Sequence, residues 1–150
     1  MTALIRTDSG NADFVKLVHQ LNEYLKMMDG EEHAFYSQYN GIESLKNVIV
    51  AYVNSEPVGC GAFKKFDDNR VEIKRMYTSS EHRGIGVASK ILKELESWSQ
   101  EMSYSTSILE TGKRQIEAVQ FYKKNNYKII TNYGQYLGKE NSLCFKKELV

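Results

Sequence analysis

The run Glu72-Ile73-Lys74-Arg75-Met76-Tyr77-Thr78, then Ser79-Ser80-Glu81-His82, then Arg83-Gly84-Ile85-Gly86-Val87-Ala88, decides how this chain folds. From Val71 to Thr78, apolar and polar residues alternate, which predicts a half-buried strand. Ser79 to Arg83 is a polar loop. From Ile85 to Met102, apolar residues recur at Ala88, Ile91, Leu92, Leu95, Trp98 and Met102, the spacing of one helical face. A strand that passes through a glycine-rich loop into a helix leaves the first helical amides unpaired and partly positive. Without side chains at Gly84 and Gly86, an anion can approach those amides, and Arg83 adds a forked cation beside them. A plain tight turn ahead of a helix would use the same glycines.

Before this run, Val48–Val53 is β-branched and apolar and predicts a buried strand. Asn54-Ser55-Glu56-Pro57 is a turn, and Val58–Phe66 is a second strand with Gly59 and Gly61 alternating in it. Asp67-Asp68-Asn69 then makes a tight connection, so these strands and Val71–Thr78 form an antiparallel meander. Earlier still, Ala3–Arg6 is a short strand. Phe14, Leu17, Val18, Leu21, Tyr24, Leu25 and Met28 form a helical stripe over Asp13–Met28. The stretch Glu31–Asn40 has no clear period and suits a short helix or a loop. After the run come a short strand at Ser105–Glu110 and a helix at Gln115–Asn125. Two closing strands follow at Tyr127–Ile130 and Ser142–Lys147. The order β-α-α-β-β-β-α-β-α-β-β predicts an α/β fold with a mixed sheet and helices on both faces. No repeat or Pro/Ser-rich linker divides the chain, so residues 1–150 read as a single domain.

Composition narrows the function classes. A chain of 150 residues with 41% hydrophobic and 26% charged residues can bury a core and is not a disordered type. Lys plus Arg is 20 and Asp plus Glu is 19, a net charge of +1, which argues against a nucleic-acid partner. Cys60 and Cys144 are too few for a disulfide framework or a zinc site and read as buried thiols in a reducing compartment. The longest apolar run, Val48–Val53, is too short to span a bilayer, and the N-terminus lacks a signal-peptide pattern. These readings predict a cytoplasmic protein without a membrane partner. Glu31-Glu32-His33 sets its acids and imidazole side by side rather than on one helical face, so no metal is expected there.

The identity of the anion has several readings. A Walker loop needs Gly-Lys-Ser/Thr, which is absent. A dinucleotide fingerprint wants a third small residue at position 89, where Ser89 fits poorly, and an acid near the end of the next strand, where Glu110 lies. The preceding meander is the wrong lead-in for that unit. A dinucleotide-binding oxidoreductase therefore stays as an alternative.

Arg83-x-x-Gly86-x-Ala88 is similar to the Arg/Gln-x-x-Gly-x-Gly/Ala signature of the GNAT superfamily of N-acetyltransferases. Glu72–Thr78 resembles the strand that precedes that signature. Leu109-Glu110-Thr111-Gly112, Ala118 and Phe121-Tyr122-Lys123-Lys124 resemble the later strand and helix. Asn126-Tyr127 stands where the family usually has Gly-Phe or Gly-Tyr, a mild departure because Asn tolerates the left-handed conformation. The resemblance covers about residues 45–150.

The resemblance implies the GNAT acyl-CoA N-acyltransferase fold, a mostly antiparallel sheet that opens between its fourth and fifth strands. It implies acetyl-CoA as co-substrate and direct transfer to a primary amine of a small molecule or peptide. Met76 and Thr78, with Tyr77 between them, would offer backbone groups to the pantetheine arm. Arg83 and the amides of Gly84, Ile85, Gly86, Val87 and Ala88 would take the pyrophosphate. Gln115 stands where many members have a cofactor-binding Asn. Tyr122 matches the tyrosine that protonates the departing thiolate, although a core tyrosine would fit there too. Glu72 matches a position that is acidic in many members and is the first candidate for the base, with Glu110 beside it. Either could instead pair with Lys74, Arg75 or Arg114. A backbone amide of Met76–Thr78 would meet the oxyanion. Glu110, Arg75, Tyr36 and Tyr133, together with Tyr136, are candidates for the acceptor pocket. A non-catalytic acyl-CoA-binding module on the same fold is the second reading, and a homodimer is left open.

Overall fold

The alternating and helical patterns assemble into ten described elements, seven of them strands of one sheet. They are β1 (Thr2–Thr7), α1 (Ala12–Asp29), β2 (Asn47–Val53), β3 (Glu56–Lys65), β4 (Arg70–Thr78), α2 (Val87–Glu101), β5 (Thr106–Gly112), α3 (Ile116–Lys124), β6 (Lys128–Ile130) and β7 (Ser142–Glu148). A computed structural model describes residues 1–30 and 44–150. The second helix expected within Glu31–Asn40, and Tyr36 with it, lie outside the described residues.

The sheet runs β1-β2-β3-β4-β5-β7-β6. Every pairing is antiparallel except β4 with β5, so the sheet is mixed as the sequence implied. Side-chain alternation sorts its two faces. Ile49 and Ala51 of β2, with Val71 and Ile73 of β4, pack with α2 and α3. Val48 and Val50 of β2, with Cys60 and Ala62 of β3, pack with Phe14, Leu17 and Val18 of α1. Helix α1 starts where Asn11 accepts a hydrogen bond from the Phe14 amide at 2.9 Å, the usual work of an N-cap. Along α2, Val87, Ile91, Leu92 and Leu95 are each at most 1% exposed, whereas Met102, at the end of the predicted stripe, is 47% exposed. Burial on that scale stabilises by roughly 1.5–3 kcal/mol per side chain.

Gly59 and Gly61 set the distance between α2 and the sheet. A Cβ on Gly61 would lie 2.9 Å from Ile91 Cγ2 and 3.0 Å from Leu95 Cδ1, and closer still to the Met76 sulfur. The missing side chains thus let α2 and Met76 sit against β3.

Two features open the sheet at one end. β4 and β5 pair only at Arg70–Thr106, Val71–Ser107 and Glu72–Ile108, and beyond Glu72 the ladder stops. In the same stretch β4 carries a bulge. Cys60 opposes Tyr77 and Ala62 opposes Lys74, so Gly61 alone faces both Arg75 and Met76. Arg75 takes a left-handed φ of +61°, which costs a non-glycine residue roughly 1–2 kcal/mol. The Cys60 thiol donates to the Arg75 carbonyl at 3.3 Å, and Arg75 Nη1 donates to Asn22 Oδ1 of α1 at 3.1 Å, which holds the bulge in place. At the closed end, a buried polar chain ties α2 to the sheet. Tyr127 donates to Glu96 at 3.0 Å and shares a 2.8 Å bond with Ser107, and Lys147 pairs with Glu96 at 2.9 Å.

Candidate functional site

The gap between β4 and β5 is a cleft with two compartments. The outer one, about 360 Å³, lies between the end of β4, the start of α2 and one side of α3. The inner one, about 120 Å³, lies between β4, β5 and the last turns of α1. Leu21, Met76, Gln115, Ala118 and Tyr122 line both and mark the passage between them.

The outer compartment opens over the glycine loop at the start of α2. Gly84 and Gly86 have φ of +82° and +86°, and a Cβ on either would meet nothing within 4 Å. The space over them is therefore open, and a side chain would intrude on it. Gly86 is also the N-cap of α2, so the unpaired amides of the helix start there. The Arg83 Nε donates to the Thr78 carbonyl at 3.0 Å, and its guanidinium lies 5.4 Å from the centre of the Tyr24 ring. Thr78 Oγ1 is buried and has no hydrogen-bond partner among the described residues. An orphaned hydroxyl in a cleft wall is a group that a ligand would satisfy. Val87 and Ala88 line the compartment too, whereas Ile85 is 58% exposed and is not part of the lining. Tyr77 turns its ring toward α1, where its hydroxyl donates to Gln20 at 3.3 Å.

Tyr122 stands at the junction. Its ring packs edge-on against Phe121 and Tyr127, at 5.1 and 5.8 Å, and tilted against Phe145 at 6.0 Å. It is both a core residue and a cleft residue. Burial, and then the nearby charge of Glu110, push its phenol above the ordinary range, so it keeps its proton.

The inner compartment gathers side chains on the α1 face of the sheet. Glu72 and Lys74 come from β4, Glu110 from β5, and Tyr136 from the turn before β7. The buried Glu72 accepts a hydrogen bond from the Tyr133 hydroxyl at 2.6 Å. Tyr133 is packed edge-on between Phe66 and Tyr136 and is not part of the cleft lining, so it meets the site through Glu72. Arg75 borders the compartment but turns its guanidinium to Asn22. Gln115, the residue before α3, makes no capping bond with its side chain and borders both compartments. Among the described residues, no three His, Cys, Asp or Glu side chains are grouped as metal ligands.

The structure thus brings Glu72, Glu110, Met76, Thr78, Arg83, Gly84, Gly86, Gln115 and Tyr122 to one cleft. It adds residues that sequence reasoning gave no role. His82, bonded to Ser79 at 2.8 Å, and Lys124, in the last turn of α3, line the outer compartment. Leu21 and Leu25 of α1 wall the inner one. The α1 stripe and the Tyr122-Lys123-Lys124 sequence carried that signal only as core and motif.

A family model described as the acetyltransferase (GNAT) family matches residues 15–127. The uncharacterized N-acetyltransferase YsnE of Bacillus subtilis is 28% identical over 140 residues, covering 89% of this chain and 93% of that protein. The IAA acetyltransferase of Azospirillum brasilense is 26% identical over 137 residues, 90% of each chain. In fold, the chain matches a Klebsiella pneumoniae structure assigned as an acyl-CoA N-acyltransferase, with a TM-score of 0.84, 24% identity and 100% and 99% coverage. It also matches the PaiA N-acetyltransferase of Thermoplasma acidophilum, solved with coenzyme A, with a TM-score of 0.76, 16% identity and 99% of each chain covered.

Proposed function

That this chain belongs to the GNAT acetyltransferase family is the premise from which we propose its reaction: transfer of acetyl from acetyl-CoA to the primary amine of a small molecule or peptide. The observation that carries the reading is the open cradle over Gly84 and Gly86 at the start of α2, beside the orphaned Thr78 hydroxyl. Those groups fit a pyrophosphate and the polar arm that follows it. Arg83 and the amides from Gly84 to Ala88 would hold the diphosphate, and the Met76 and Thr78 backbone would hold the arm.

Acetyl-CoA supplies an acetyl thioester, whose carbonyl carbon bonds to the amine nitrogen as the carbon–sulfur bond breaks. The chain's own residues handle two protons. An alkyl ammonium with a pKa near ~10 must lose one before its nitrogen is nucleophilic. Glu72 takes that proton; Tyr133 fixes one of its oxygens and the carboxylate faces the inner compartment. Glu110 lines the same space and draws the cationic amine in. Tyr122, kept protonated by burial, gives its proton to the sulfur, and the second proton that the nitrogen sheds as the amide forms restores the phenol through solvent. The β4 amides beside the bulge supply the donor for the carbonyl oxygen. Both cysteines are buried free thiols, in keeping with a cytoplasmic setting.

Calorimetry with CoA, followed by CoA release measured over an amine panel, tests the reading. Micromolar binding with turnover is expected. Binding without turnover on any amine would leave an acyl-CoA-binding module, and no binding would remove the proposal.

A further inference from the structure

Lys74 lines the inner compartment with a side chain only 11% exposed, yet its one polar contact among the described residues is Glu72 Oε1 at 3.8 Å. That is beyond hydrogen-bond reach and leaves its three N–H donors without an acceptor among the described residues. The distance is informative because pairs elsewhere in this molecule close fully. Lys147 meets Glu96 at 2.9 Å, and Arg6 meets Glu101 at 2.7 Å. Glu72, for its part, already has a 2.6 Å donor in Tyr133. Tyr133 is a neutral donor, so Lys74 remains the charge partner of Glu72 across 3.8 Å, while its ammonium keeps hydrogen-bonding capacity for a ligand. Among the described residues the orphaned buried side-chain atom is Thr78 Oγ1, so the Lys74 ammonium reaches the solvent of the cavity, where an anion brought in by a ligand would take the place of water.

Geometry says what kind of ligand that is. Glu72 and Lys74 are two residues apart on one face of β4, so their stems stand roughly 7 Å from one another along the strand. Glu110 follows on β5, on the same face. Negative and positive groups thus alternate across a small cavity. We propose that the acceptor is a zwitterion: an amine that also carries an anionic group, carboxylate or phosphonate, which Lys74 holds while the amine faces Glu72 and Glu110. The anion would make the charge-assisted hydrogen bonds that Lys74 lacks. This rests on the acetyltransferase reading and narrows its acceptor class.

The test uses matched pairs on the CoA-loaded protein. α-, β- and γ-amino acids and aminoalkyl phosphonates are each set against the amine of the same carbon skeleton without the anion. Binding is read by calorimetry and turnover by CoA release. At least one zwitterion is expected to bind and react ten times or more better than its plain amine, and the carboxylate and phosphonate arms identify the anion. Lys74→Met should raise the KM of that zwitterion at least about tenfold and bring the ratio within the pair toward one, with the Kd for CoA unchanged. Equal use of both members of every pair, preference for plain amines or diamines, or failure of every pair while CoA still binds would each overturn the zwitterion. So would a Lys74→Met variant that folds, binds CoA and keeps the ratio. Absence of CoA binding to the wild-type protein would instead remove the reaction itself.

Discussion

Around Gly84 and Gly86 the cleft is bordered by one contiguous loop with open space where side chains would stand, whereas around Glu72 it is lined by residues from α1, β4, β5 and the turn before β7. The outer compartment depends on what is missing, the two side chains a glycine lacks. The inner one depends on what is present and how it is held, with Tyr133 fixing Glu72 and Asn22 fixing Arg75. The difference teaches which half can vary. Backbone donors serve any ligand with the same diphosphate, while a handful of side chains can be exchanged to suit another acceptor without disturbing the cradle. On the proposed reading, changes in the outer half should act on CoA affinity and changes in the inner half on the acceptor.

The largest effect is expected at Gly86. Gly86→Glu fills the open space above the loop and sets a like charge against a phosphate. CoA affinity should fall by about a hundredfold or more in calorimetry. The left-handed φ of +86° strains any replacement, so Gly86→Ala is the control for strain alone and should lose less. Wild-type affinity in the glutamate variant would break the comparison at its outer end. Tyr122→Phe comes next, because it sits between the halves. Its kcat should drop about a hundredfold, with KM for acetyl-CoA nearly unchanged. Since burial raises the phenol's pKa, Tyr122 stays a proton donor up to and beyond the ordinary tyrosine range of about 10. The wild-type rate should thus show no loss from this group as pH rises toward that value. A stability loss matching the activity loss would return Tyr122 to a packing role.

The same difference explains how much could be read from the sequence. The fold was legible because its strands and helices carry clean periods, and the cradle because its residues are neighbours in the chain. Gly59 and Gly61 were visible in β3, but only the packed structure shows that they seat α2 and Met76. The bulge left no local mark, since Arg75 is not a residue that advertises a left-handed φ. Lys74 read as a partner for Glu72, and it is one at 3.8 Å, but Tyr133 read only as a wall, because a hydrogen bond between residues 61 positions apart has no sequence signature. His82 and Lys124 face one compartment only because the splay of β4 from β5 brings α3 near the end of β4.

A third change sharpens the comparison from beneath the outer half. Gly61→Ala places a methyl against Ile91, Leu95 and the Met76 sulfur. Overpacking of this kind should cost about 1–3 kcal/mol in denaturant unfolding. Because Met76 lines both compartments, affinity for CoA should weaken along with it. An unchanged unfolding midpoint would mean that α2 is not seated by the glycine.

The smallest effect belongs to Tyr133→Phe, which removes one hydroxyl from outside the cleft. If Tyr133 acts through Glu72, kcat/KM for the acceptor should fall about tenfold, the value of a hydrogen bond to a charged group, while the Kd for CoA stays at its wild-type value. A double-mutant cycle with Glu72→Gln separates this from simple packing. Once Glu72 has lost its charge, the second substitution should cost little more, because the group that Tyr133 positions is already disabled. Additive losses would show instead that Tyr133 touches the acceptor or supports Tyr136 directly. The inner compartment would then be a wall of aromatic rings rather than a set of positioned charges.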